Sequence, residues 1–143
     1  MTFEKEKSAG FLINHTARLF AKGLLARISP LGITIGQFPI LLELWEKDGV
    51  TQRELVIKLD IEQATVANTL NRMERDDLIV RKRHPTDSRS QQIWLTKKGA
   101  SIRDAAYGAA NAQNQAALKP LAANEQDQFL ELMQRIIDAA KAT

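Results

Sequence analysis

The chain has 143 residues, of which 44% are hydrophobic and 26% are charged, and its formal net charge is +3. This size and composition predict a single folded domain over residues 1–143. The absence of cysteine excludes disulfides, thiolate metal sites and sensing by thiol oxidation. His15 and His84 lack zinc-ligand spacing, no apolar run could span a membrane, and the charged N-terminus is unlike a signal peptide. We therefore expect a cytoplasmic protein without metal, cofactor or membrane partner.

Two amphipathic helices are predicted in the first third of the chain. Apolar residues recur at steps of three and four from about 8 to 28, and the Ser-Pro-Leu-Gly segment at 29–32 ends that helix. Thr34 and Gln37 have the spacing of a capping box, which precedes a helix over residues 38–45. Asp-Gly at 48–49 ends this second helix.

A pair of short helices follows. Thr51 and Glu54 form another capping box, which opens a helix ending at Leu59. The next helix spans about Gln63–Arg75, with its apolar residues at steps of four and three. The inward residues are Val66, Leu70 and Met73. The opposite side is expected to expose Thr65, Asn68, Thr69 and Arg72.

A basic hairpin comes next, with strands near 79–83 and 91–95 around a turn at 85–88. From Val80 to Lys98 there are six basic residues and one acidic residue, so the local charge is +5. The six are Arg81, Lys82, Arg83, Arg89, Lys97 and Lys98. The excess positive charge is thus concentrated on one ribbon, which favours a polyanionic partner such as DNA.

The remainder is predicted to be helical. Thr96 caps a long helix from Lys97 to Leu118, Lys-Pro at 119–120 interrupts it, and Asn124 caps a last helix. The last helix has an apolar face made of Phe129, Leu132, Met133, Ile136 and Ile137. Because a small winged domain cannot bury this face as well as that of the first helix, a homodimer is expected.

The element order is that of a winged helix-turn-helix: mainly α with a small β-hairpin, flanked by dimerisation helices. We assign about 34–98 to the DNA-binding core, and about 8–30 and 99–141 to the dimerisation helices. The second helix of the pair fits the major groove, while the wing contacts the adjoining backbone and minor groove. The predicted DNA-binding residues are Gln52, Arg53, Gln63, Ala64, Thr65, Asn68, Thr69, Arg72, Arg81, Lys82, Arg83, Asp87 and Arg89.

Two interpretations of these polar residues remain open. Asp87 can direct the Arg89 guanidinium and hold the turn, or the two can form an exposed ion pair that adds only about 0–1 kcal/mol. Thr65, Asn68 and Arg72 can read bases, or they can be ordinary polar residues of a solvated helix face. Trp94 is interpreted as strand packing.

Several segments resemble the MarR (multiple antibiotic resistance regulator) family. Asp-Ser-Arg at 87–89, followed after five residues by Leu-Thr-Lys-Lys-Gly at 95–99, is similar to that family's D-x-R-x-x-x-x-x-L-T-x-x-G signature. The segments at 31–38, 51–55 and 64–73 are also similar to the family in the same order. Asn68 departs from the pattern, because the corresponding position is commonly basic.

The resemblance implies a homodimeric regulator, usually a repressor, that binds pseudo-palindromic double-stranded DNA operators. It also implies release by a small aromatic acid or phenolic compound bound between the dimer helices and the winged domain. The candidate contacts for such an effector are Phe11, His15, Phe38 and Tyr107, which are otherwise interpreted as packing or surface residues.

Two alternatives are kept. One is a DNA-binding regulator without a ligand, and another is a winged-helix adaptor that binds protein. An enzyme is not expected, because the sequence has no catalytic triad order, metal set or glycine-rich phosphate loop. The operator, the target genes and the direction of regulation are not readable from the sequence.

Overall fold

A computed structural model describes residues 1–142 and confirms a mainly helical winged fold with a small antiparallel sheet. Short 3-10 turns lie at Lys5–Lys7 and Ser29–Leu31. The helices are α1 (Ala9–Ile28), α2 (Phe38–Glu46), α3 (Gln52–Leu59), α4 (Gln63–Arg75), α5 (Lys97–Ser101), α6 (Arg103–Leu118) and α7 (Ala123–Lys141). The strands are β1 (Val50–Thr51), β2 (Ile79–Arg83) and β3 (Gln91–Leu95). Across residues 1–142, no helix combines the length and apolarity needed to cross a membrane.

The sheet has three strands in the order β1-β3-β2, whereas the sequence predicted only the hairpin of β2 and β3. Val50 pairs with Ile93, so β1 adds a two-residue edge strand that is too short to show an alternating pattern. Gly49 precedes it with φ +78°, a conformation that favours glycine. A Cβ at Gly49 would come within 2.7 Å of the Trp94 ring, so the packing role expected of Trp94 is confirmed.

The hydrophobic core lies between α2, α4 and the sheet. Leu41, Leu44 and Leu70 are buried in it, and so are Met73 and Ile93. The inward stripe predicted for α4 is confirmed, because Val66, Leu70 and Met73 are all fully buried. The core therefore fixes α4 and the base of the wing as one unit.

The Gln37 side chain is buried and ties α2 to the end of α4. Its Oε1 accepts from the Thr34 backbone N–H at 3.1 Å, and the Gln37 backbone N–H donates to Thr34 Oγ1 at 3.2 Å. These two bonds confirm the predicted capping box. The Gln37 amide Nε2 also donates to Asp76 Oδ2 at 3.0 Å, which lowers the pKa of Asp76 below its ordinary value of 3.8.

A junction of four elements surrounds Gly99 in α5. The Trp45 indole N–H donates to the Gly99 carbonyl oxygen at 2.9 Å. Thr96 Oγ1 accepts from the Gly99 N–H at 3.0 Å and donates to the Asp77 carbonyl oxygen at 2.7 Å. The Thr96 cap is thus confirmed. A Cβ at Gly99 would overlap the Leu78 carbonyl oxygen, so α5 approaches the start of β2 as closely as only glycine allows.

Two predictions about the C-terminal helices were wrong. The long helix from Lys97 breaks at Ile102, because Gly99 fixes α5 against the Leu78 backbone just before β2, whereas α6 packs along α1. The last helix starts at Ala123 rather than after a cap at Asn124. Its free N-terminal group is satisfied by Glu125, whose carboxylate accepts from the Ala122 N–H at 2.8 Å.

The terminal helices leave most of their apolar side chains exposed. In α1 only Ile28 is buried, and within the described part of the chain α7 buries none of its residues. The buried Gln113 of α6 packs over Gly23 of α1 and accepts from Arg27 Nε at 3.2 Å. At the end of α7, Lys141 lies 3.2 Å from Asp60 Oδ2 and so reaches the turn between α3 and α4.

We expect Gly99→Ala to destabilise the fold by about 1–3 kcal/mol, since the added methyl must displace the Leu78 carbonyl. Gly108→Ala is the matched control: it lies within α6 with open space around its Cα, so it should gain about 0.5–1 kcal/mol. Denaturant unfolding of both variants measures the difference. Equal effects at the two positions would refute the close approach.

We also expect the Gln37–Asp76 contact to contribute stability only while Asp76 is ionised. Because the pKa of Asp76 is lowered on folding, the contribution is full above 3.8 and is lost as the pH falls through the lower folded value. Asp76→Asn should therefore be less stable than the parent near neutral pH, and the gap should close in acid. A difference in the free energy of unfolding that is constant with pH would contradict this linkage. Asp127→Asn, on exposed α7, is the control.

Candidate nucleic-acid interface

A groove of about 640 Å³ lies between the start of α3, the start of α4 and the wing, which is the β2–β3 hairpin with its turn. Five of the predicted DNA-binding residues line it: Gln52, Arg53, Gln63, Arg81 and Arg89. Three of these five carry positive charge, and the groove contains no carboxylate among its lining residues. The arrangement concentrates positive potential in a concave surface, as binding of a polyanion requires.

The first turn of α3 brings two of these residues to the groove. Thr51 Oγ1 accepts from the Glu54 N–H at 3.2 Å and so caps the helix. Gln52 and Arg53 occupy the first two helical positions after this cap. Arg53 is exposed, so its guanidinium is free to meet a phosphate.

Helix α4 exposes Gln63, Ala64, Thr65, Asn68 and Arg72, as predicted. Thr69 is different: it is only 8% exposed, and its hydroxyl donates to the Thr65 carbonyl oxygen at 2.8 Å. The expectation that Thr69 lies on the exposed side was wrong, because it stands three residues after Val66 and four before Met73. Those two spacings put Thr69 beside the buried stripe.

Arg81 is held by a residue that the sequence analysis missed. Its Nη2 donates to Asn71 Oδ1 on α4 at 2.7 Å, while its Nε is buried without a partner. Because side chains alternate along a strand, Arg81 shares a face with the buried Ile79 and points towards the helices. The alternation of side chains along β2 could therefore have predicted that Arg81 has a partner on the helices.

The three consecutive cations of β2 do not lie on one surface. Lys82 projects to the face opposite Arg81, where its Nζ lies 5.7 Å from the centre of the Trp94 ring. Arg83 is exposed near the end of the strand. The ribbon thus presents cations on both of its faces, and of the three cations of β2 only Arg81 lines the groove.

The wing turn is organised around Asp87. Its Oδ1 accepts from the Arg89 backbone N–H at 3.0 Å, and its Oδ2 accepts from Ser90 Oγ at 3.2 Å. The bond from the Arg89 backbone, followed by that from Ser90, holds the pKa of Asp87 below 3.8. The Arg89 Nε is 3.6 Å from Oδ1, and the Arg89 side chain is 93% exposed. Both interpretations of the pair are therefore present: Asp87 holds the turn and forms an exposed ion pair that orients the arginine weakly.

The four candidate effector contacts form two separate pairs. Phe38 is buried against Trp45, with ring centres 6.2 Å apart, and the ring centres of Trp45 and Tyr107 are 5.7 Å apart. Phe38 and Tyr107 are therefore linked through Trp45 at the edge of the core. Phe11 and His15 lie on the exposed first half of α1, with their ring centres 6.0 Å apart.

The comparisons with known proteins agree with this architecture. The MarR family model matches residues 33–91. The organic hydroperoxide resistance transcriptional regulator of Bacillus subtilis (strain 168) is 35% identical over 101 residues, which are 71% of this chain and 69% of that protein.

Two solved structures give the same result for the fold. A probable transcriptional regulator from Pseudomonas aeruginosa superposes with a TM-score of 0.86 at 26% identity, over 93% of this chain and 99% of that one. CouR from Rhodococcus jostii RHA1, bound to p-coumaroyl-CoA, has a TM-score of 0.80 at 20% identity, over 94% and 95% of the two chains. From the basic groove, the winged fold and these matches, we conclude that the chain belongs to the MarR family of DNA-binding transcriptional regulators, which are not enzymes.

Proposed function

We propose that the protein is a homodimeric repressor that binds a pseudo-palindromic operator and is released by a small aromatic or phenolic compound. The DNA-binding core is assigned to about residues 34–98, and the dimerisation helices to about 8–30 and 99–141. The observation that carries the proposal is the groove between α3, α4 and the wing, where Arg53, Arg81 and Arg89 converge.

The chemistry of the groove suits a duplex. Arginine binds phosphate oxygens bidentately and also fits narrow minor grooves, and Arg89 is free to do either. On α4, Asn68 is suited to an adenine edge and Arg72 to guanine or phosphate, since both are exposed. Phosphate contacts from α3 and the wing would then set the register in which α4 reads bases.

The exposed apolar faces support the homodimer. On α7, Leu132, Met133, Ile136 and Ile137 are between 38% and 61% exposed. On α1, Leu12, Ile13 and Leu19 are between 46% and 59% exposed. Contiguous apolar surface of this kind is rare on a monomer and is normally covered by a partner. A two-fold dimer would present two α4 helices to one duplex, and its operator would mirror that symmetry.

The effector part of the proposal rests on the family resemblance. A pocket for an aromatic acid needs an apolar lining and one or two polar groups. Tyr107 is half-buried at the core edge, and the Phe11–His15 pair lies on the exposed half of α1 that a second protomer would cover. Either set can contribute to a pocket completed by the partner.

The test begins with duplexes selected by the purified protein from random DNA, followed by gel-shift titration at several salt concentrations. Each phosphate neutralised contributes about −0.9 to the slope of log affinity against log salt, so a steep negative slope is expected. No shift at low salt would refute the proposal, and a flat slope would favour the protein-binding adaptor. Repeating the titration with aromatic acids and with p-coumaroyl-CoA, which CouR binds, separates ligand-released from ligand-independent binding.

We expect Arg89→Ala to weaken operator binding by about tenfold or more, because the exposed guanidinium is lost from the wing turn. Its fold stability and its dimer should be unchanged. Arg135→Ala on exposed α7 removes the same charge outside the groove and serves as the control. Equal affinities for the two variants would contradict the role given to the wing.

We expect Ile136→Glu to dissociate the dimer, since it places a charge in the middle of the apolar face of α7. Asn124→Asp adds a negative charge to the exposed first turn of the same helix, away from the middle of that face, and should leave the dimer intact. Sedimentation velocity measures the mass of both variants. A dimer that survives Ile136→Glu unchanged would place the interface elsewhere.

A further inference from the structure

His84 at the end of β2 makes an unusual set of bonds with the wing turn. Its ring nitrogen Nδ1 lies 3.2 Å from the Thr86 backbone N and 3.1 Å from the Asp87 backbone N. Pro85 follows His84 and favours an extended backbone at that residue, which directs the ring over the turn. The imidazole therefore caps the turn much as an asparagine side chain does in an Asx-turn.

These bonds define the protonation state of the ring. A backbone N–H can only donate, so Nδ1 must be the acceptor and the ring proton must be on Nε2. In the imidazolium form both ring nitrogens donate, and Nδ1 would face two other donors. The Thr86 hydroxyl, 3.3 Å from Nδ1, can either donate to it or accept from it, but the two backbone bonds form only with the neutral ring.

The cap is connected to Arg89 through Asp87. His84 Nδ1 holds the Asp87 backbone N–H, and the Asp87 carboxylate in turn holds the Arg89 backbone N–H at 3.0 Å. The backbone N–H of His84 closes the loop, because it donates to the Ser90 carbonyl oxygen at 3.0 Å. Loss of the Nδ1 acceptor would free the segment that determines where Arg89 projects.

We propose that His84 is a positioning residue for Arg89: its neutral imidazole orders the wing turn, and its protonation releases the turn and weakens DNA binding. The inference rests on the proposed role of the wing in DNA binding. Asp87 is the charged residue in contact with His84, and Arg83 and Arg89 are the charged residues nearest to the two in sequence within the wing.

A simpler role for His84 would give the opposite sign. An imidazolium that contacted phosphate directly would add positive charge to the wing, and DNA binding would tighten in acid. A positioning role predicts that binding loosens in acid. The direction of the pH effect therefore separates the two.

His84→Asn is the informative variant, because its Oδ1 stands the same number of bonds from Cα as Nδ1 and accepts hydrogen bonds without titrating. His84→Ala removes the acceptor at every pH. The chain has two histidines, so His15→Asn on α1 is the matched control that removes the other imidazole.

The experiment measures affinity for the selected duplex at about pH 8 and about pH 5.5, on either side of the range where imidazoles titrate. We expect the parent and His15→Asn to lose about fivefold in affinity on acidification, the equivalent of one hydrogen bond of about 1 kcal/mol. His84→Asn should show no such loss, and His84→Ala should bind weakly at both pH values.

A second readout does not depend on DNA. Nitrogen-15 NMR of the free protein reports the tautomer of His84, and the amide signals of Thr86 and Asp87 should move together as the ring takes up its proton. A proton on Nδ1 at pH 8, or amide signals of Thr86 and Asp87 that do not change with pH, would show that the ring does not cap the turn. Tighter binding of the parent in acid, or equal pH dependence in His84→Asn, would overturn the positioning role. If the parent bound no DNA at either pH, the proposed function would fail, and the positioning role that rests on it would fall with it.

Discussion

The close approach of α5 to the start of β2 is the contact on which the rest of the architecture depends. At Gly99 the backbone of α5 lies against the Leu78 carbonyl, and Trp45 and Thr96 add hydrogen bonds from α2 and from the end of β3. Leu78 lies between the end of α4 and the first residue of β2. One small residue therefore fixes the angle between the helix pair, the wing and the helices that follow.

That junction explains how cations far apart in sequence come to line one groove. With the base of the wing fixed, Arg81 reaches back to Asn71 on α4, and the turn places Arg89 beyond it. Asp87 and His84 then organise the turn itself. The base of the wing is buried, whereas Arg53 and Arg89, which would meet a duplex, are exposed, and the half-buried Arg81 is held by a hydrogen bond to Asn71. Such an arrangement lets the wing adjust without disturbing the core.

The sequence predicted the elements with strong local signals. Capping boxes, the apolar stripe of α4 and the hairpin were found because their determinants lie within a few residues of each other. What it missed depends on contacts between distant segments: β1 exists through its pairing with β3, and the break at Ile102 exists because α5 and α6 pack on different partners. Asn71 was missed for the same reason, since its partner Arg81 lies ten residues away on another element.

The central claim is that two copies of the groove meet one duplex along the same side. Hydroxyl-radical footprinting of the protein on a selected duplex tests this directly. We predict two symmetrical protected patches on one face of the DNA, with centres about one helical turn, or about 10 base pairs, or a whole multiple of it apart. A single protected patch, or two patches on opposite faces of the duplex, would contradict the account.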